Sequence, residues 1–215
     1  MNLDQLLERS DTLDDALMHL LGSASFGLFD GSPRILTSFA ACNVSLDHAR
    51  GLRALMREGL PTPAVSLMRL QHEALTRSVW LLYAASESEI EKLHSPLTLD
   101  SQKAANKLPM LAAMLTAIEG KAPLGATQML AQFKDMSTAV LNSYVHGGIH
   151  VLRRQSEGYP LPLLLQVVRN SNGLLTMSGM MFAILSGNPV MAKQVSQIQP
   201  AFADCLPDLL PTTSV

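Results

Sequence analysis

The stretch AVSLMRLQHEALTRSVWLLYAA, residues 64–85, decides the fold. Leu, Val, Met and Ala recur three and four apart along it, and no Gly or Pro interrupts them, which is the period of an α-helix and not the alternation of a strand. Pro61 and Pro63 open the segment, where the first turn of a helix tolerates a missing N–H. At about 100° per residue, Ser66, Arg69, Glu73, Arg77 and Trp80 fall within an arc of roughly 80°, and the remaining positions are mostly apolar. A helix that is apolar nearly all round except for one charged stripe is buried, and its stripe has to face something polar.

The same reading extends outward. Punctuation recurs at Gly31-Ser32-Pro33, Gly59-Leu60-Pro61, Ser95-Pro96, Gly120 to Pro123, Gly147-Gly148, Gly158 to Pro160 and Gly187-Asn188-Pro189, separating segments of helical length rich in Leu, Ala and Met. Period-two β-branched runs are missing, so the fold class is all-α. A single-domain bundle of about seven to nine helices with short turns is expected. Its longer segments lie near 12–29, 34–58, 62–86, 101–118, 124–146 and 162–186, with shorter pieces near 3–8, 87–94, 149–156 and 189–203. N-terminal helices over 1–30, a bundle core over 31–203 and an extended tail over 204–215 complete the plan; no repeat recurs.

Composition narrows the function. Of 215 residues, 47% are apolar, ample for a core, and 16 Lys+Arg stand against 18 Asp+Glu. That balance lacks the basic footprint of a DNA-gripping domain, so no DNA partner is expected. Cys42 and Cys205 are too few for a disulfide framework and fit a reducing, cytoplasmic setting. The acidic start MNLDQLLERSDTLDD does not read as an export signal. The apolar region 161–186, interrupted at Arg169 to Asn172, reads as a buried core helix and not a membrane span.

Two accounts of the stripe at 66–80 stand side by side. Arg69–Glu73 and Glu73–Arg77 are i,i+4 pairs that form a structural ladder by themselves. The same two guanidiniums, held by Glu73, have the planar fork that binds a phosphate or carboxylate. In the 124–146 segment, Asp135, Thr138, Asn142 and His146 repeat the spacing of Ser66, Arg69, Glu73 and Arg77, while Phe133, Met136, Val140, Leu141 and Tyr144 form the expected core face. His146 ends that helix before Gly147 and Gly148. It serves there as a helix-end cation or as a general acid/base, with Asn142 one turn back and His150 and Arg153 on the next helix. The glycine pair between His146 and His150 spoils a zinc geometry, and Glu91-Lys-Leu-His94 lacks the second motif of a di-iron bundle, so no metal or cofactor is expected. The other histidines, His19, His48, His72 and His94, read as surface or boundary residues.

Ser66, Arg69, Glu73, Arg77 and Trp80, followed by Asn-Ser-Tyr-Val-His-Gly-Gly at 142–148 and Arg153-Arg154, give the chain a resemblance. Over roughly residues 45–185 it resembles bacterial helical proteins similar to the HEPN-like bundles of abortive-infection and toxin systems. The resemblance implies a HEPN-like core, a homodimer, a nucleotide or RNA ligand, a partner protein in a defence or toxin–antitoxin system, and a metal-independent ribonuclease-like activity. The HEPN signature is an Arg followed by a His with four to six residues between them. Here no arginine sits at that spacing, and His146 has Asn142 before it and Arg153 after it. The expected site is then a polar pocket of Arg69, Glu73, Arg77, Asn142 and His146, bordered by His150 and Arg153, with His146 and Arg69 as catalytic candidates. The alternative is a non-enzymatic scaffold in which the stripe is a salt-bridge network.

Overall fold

Local signals start most of the helices. In the computed structural model, which describes residues 1–22 and 27–208, Asn2 and Gln5 form a reciprocal cap for α1 (Leu3–Leu21), and Ser32 caps α2 (Pro33–Arg57). Helix α3 (Pro61–Tyr83) starts on its proline without a side-chain cap. Then follow α4 (Glu87–His94), α5 (Leu99–Ala105), α6 (Leu111–Ile118), α7 (Leu124–Val145), α8 (Ile149–Glu157), α9 (Leu161–Leu185), α10 (Pro189–Ala201) and a 3-10 turn, Ala203–Cys205. The described residues hold ten helices and no strand, one helix more than the upper end of the expected range.

Two boundaries account for the difference from the expected segments. The pieces near 3–8 and 12–29 are one helix, because the polar break is satisfied in place: the Ser10 hydroxyl donates to the Leu6 carbonyl, and Asp11 meets Arg53 and Arg57 of α2. That helix stops at Leu21, and residues 23–26 of the expected segment lie outside the described residues. Conversely, 101–118 is two helices. Pro109 cannot continue a helix and disfavours helical geometry at Leu108, so α5 stops at Ala105 and α6 begins at Leu111.

The centre is a trio of α2, α3 and α9. On α2, Ile35, Ser38, Cys42, Ser45, Ala49, Leu52 and Met56 are all buried and alternate steps of three and four, a seam of mostly small residues. Small side chains let α3 approach closely: Ser38 and Ser78 each donate to the other's carbonyl at 2.8 Å, and Ser45 donates to the Gln71 carbonyl at 3.1 Å. Gln71 in turn exchanges two hydrogen bonds with Ser171 of α9. Thus Ser171 and Asn172, read as an interruption of the apolar region, are buried inside one continuous helix with their polar atoms satisfied.

The N-terminal helix belongs to this core. Leu6, Leu7, Leu13 and Leu17 are fully buried, and two carboxylates bind α1 to α2. Arg50 chelates Asp14 at 2.9 and 3.2 Å, Arg53 reaches both Asp11 and Asp14, and Arg57 holds Asp11. Asn172 then ties Ser10 of α1 and the Cys205 carbonyl to α9, each at 2.8 Å. The tail therefore begins docked: Cys205 is buried, Leu206 is extended, and Pro207 lies against Gly173; residues 209–215 lie outside the described residues. No helix of the described residues is long and apolar enough to cross a membrane.

Candidate functional site

Helix α3 packs against α2 on one side and α7 on the other, and between those contacts its polar stripe meets the surface. Most of its other positions are buried, as a mostly apolar helix requires. Within the stripe, Arg69 donates to Glu73 at 2.6 Å and Arg77 donates to the second Glu73 oxygen at 3.4 Å, so the ladder forms as its spacing dictates. Arg69 Nε also donates to Asn142 Oδ1 of α7 at 3.0 Å, joining the two polar faces across 73 residues of chain. Ser66 turns back to the Thr62 carbonyl, and Trp80, at 2% exposure, belongs to the core rather than to the stripe.

The two arginines differ in their commitments. Arg69 spends Nε on Asn142 and one terminal nitrogen on Glu73, and little of it reaches water. Arg77 has only the long bond to Glu73, and its side chain is 25% exposed. Its surroundings form a shallow groove of about 240 Å³ lined by Ala41, Val44 and His48 of α2 with Leu70, Glu73, Ala74 and Arg77 of α3. Burial lowers the pKa of His48, against the opposing pull of Asp47. Sequence reading passed His48 over as an isolated histidine; its only signal is that α2 must present some residue to the stripe.

The remaining expected residues divide. His146 is the C-cap of α7, exposed, one turn beyond Asn142, and its ring has no hydrogen-bond partner among the described residues. The Gly-Gly pair after it is a structural corner. Gly147 takes φ +67°, the Gly148 N–H donates to the Ser143 carbonyl at 2.7 Å, and the Ser143 hydroxyl accepts the His150 N–H at 2.9 Å. His150 and Arg153 lie on α8 in a separate depression of about 260 Å³ with Ile149, Arg154 and Glu157, where Glu157 pairs with both Arg153 and Arg154. Among the described residues no hydrogen bond or ion pair joins that depression to the α3 stripe.

The packing of α3 against α7 differs from the sequence expectation at two places. Met136 and Val140, expected on the core face of α7, are exposed; Thr127, Leu130, Leu141 and Tyr144 are the buried set. His72, read as a surface or boundary residue, is 1% exposed between α3 and α7. Its Nε2 is 3.0 Å from the Leu130 carbonyl and must donate to it, its ring lies on Phe133, and its Nδ1 has no partner. Burial pushes its pKa down to about 4, so the ring is neutral. The hydroxyl of Thr138, one turn before Asn142, is likewise buried without a partner.

Among the described residues no three His, Cys, Asp or Glu side chains are grouped to hold a metal ion. No curated protein and no solved structure matches the chain. A family model does match, over residues 42–208, a span that takes in the whole of α3 and α7 with every stripe residue and leaves out α1. The chain belongs to that family, described as a family of unknown function, DUF6988.

Proposed function

We propose that the chain binds an anionic group, a phosphate such as nucleotides and RNA carry or a carboxylate, in the groove beside the α3 stripe, with Arg77 as its principal contact. The observation that supports this is the uneven use of the two guanidiniums. Arg69 is held by Glu73 and Asn142, whereas Arg77 opens on the groove with a single long bond to give up. A guanidinium set beside a carboxylate keeps its orientation while its outer N–H groups stay free for a bidentate anion contact. Inorganic phosphate, AMP and a short single-stranded RNA, each titrated into the full chain, test this. Arg77→Gln is expected to weaken binding at least about tenfold, a loss of roughly 1.4 kcal/mol. Absence of binding by the unaltered chain of these phosphates and of simple carboxylates alike, or no effect of the substitution on an anion that binds, overturns the reading.

The geometry favours binding over cleavage. In a metal-independent ribonuclease His146 acts as general acid/base while Arg69 stabilises the phosphorane, yet Arg69 is turned into the α3–α7 seam and His146 lies at an exposed helix end. Intact RNA recovered from the same titrations supports binding alone. A HEPN-like homodimer with a defence-system partner accompanies this reading as a proposal, checked by light scattering and by co-purification.

A second reading has its own observation. The Arg69–Asn142 bond crosses from α3 to α7, as a register-setting network requires. If the stripe is only a scaffold, Arg77→Gln leaves every anion titration unchanged while Arg69→Ala lowers the melting temperature.

A further inference from the structure

The groove beside Arg77 has a charge balance and a wall that select among anions. Among the lining residues Arg77 is the one Lys or Arg; it stands against Glu73, whose other oxygen is held from outside the lining by Arg69, so the three groups together leave one net positive charge. A polyphosphate or a run of RNA phosphates needs several cations, and no lysine or further arginine lines this groove. The wall is apolar: Ala41 and Val44 from α2 and Leu70 and Ala74 from α3. Val44 and Leu70 remain substantially in water, with a cation next to them, a combination that a ligand with an apolar body and a single charged head would cover.

Resting on the anion-binding reading above, we infer that the ligand of this groove is a singly charged anion with a short apolar chain, a small aliphatic carboxylate. The carboxylate takes the outer face of the Arg77 guanidinium, and the chain lies along Val44 and Leu70. The groove, of about 240 Å³, has room for a short aliphatic chain.

Calorimetric titration of the full chain with butyrate, hexanoate, octanoate, neutral hexanol, AMP and inorganic phosphate tests the assignment. Hexanoate is expected to bind more tightly than butyrate, by up to roughly fourfold for each added methylene, and more tightly than hexanol or AMP. Arg77→Gln is expected to weaken hexanoate at least about tenfold. Leu70→Asn and Val44→Ser, both at partly exposed positions, are expected to flatten the dependence on chain length. If phosphate or AMP binds through Arg77 and the carboxylates do not, or if chain length has no effect, the ligand class is wrong while the anion site stands. If no anion binds, or Arg77→Gln binds hexanoate as tightly as the unaltered chain, both fall together.

Discussion

His72 carries its neutral ring in the α3–α7 seam, with Nε2 spent on the Leu130 carbonyl and Nδ1 without a partner. Its folded pKa, about 4, lies below the ordinary value of 6.5, so between these values the unfolded chain binds a proton that the folded chain refuses. Stability from this residue is full above pH 6.5 and is lost as the pH falls toward 4, on the order of 2 kcal/mol between pH 7.5 and pH 5. Urea titrations at the two pH values check it: His72→Gln should be less stable at neutral pH but lose clearly less on acidification than the unaltered chain. Asp14 makes a second case. It is buried between Arg50 and Arg53, the latter 4% exposed, so Asp14→Ala leaves Arg53 with Asp11 alone and should cost about 1 to 3 kcal/mol in chemical unfolding. Neither role was legible in the sequence. A histidine three residues from an arginine looks the same whether it faces water or a neighbouring helix, and Asp14 gains its partners only when α1 packs on α2.

At the scale of elements, the corner between α7 and α8 depends on both of its glycines. A Cβ on Gly148 would meet Ser143 Oγ at 2.6 Å, and that hydroxyl is already engaged with the His150 N–H. Gly148→Ala should therefore destabilise the chain by about 1 to 3 kcal/mol, read as a lower melting temperature and faster proteolysis at the corner. Sequence reading found this corner because Gly-Gly after a helical run is a local signal. It misjudged α7 itself, since Met129, Phe133, Met136 and Val140 form an apolar stripe as regular as the buried Leu130, Leu141 and Tyr144, and spacing cannot tell which stripe the bundle covers. The missed break at Pro109 was legible, because proline rules apply whatever the packing.

For the whole molecule, the all-helical class followed from periodicity and punctuation, whereas the central α2–α3–α9 trio did not, because periodicity marks a buried face without naming the helix that covers it. The meeting of Arg69 with Asn142 was legible only as two matching polar faces; that they touch is a property of the packed bundle. The unequal exposure of Arg69 and Arg77, on which the functional account turns, is likewise set by the neighbours of α3 and not by its sequence. The most direct measurement follows the arginine side-chain N–H resonances of the labelled full chain during titration with inorganic phosphate and with hexanoate at constant ionic strength. The Arg77 Nε–H signal should shift and saturate with at least one of these anions, Arg69 should follow by less, and Arg53, locked between Asp11 and Asp14, should stay in place. An Arg77 signal that stays still under both anions, or arginine signals that all drift together without saturating, contradicts the account.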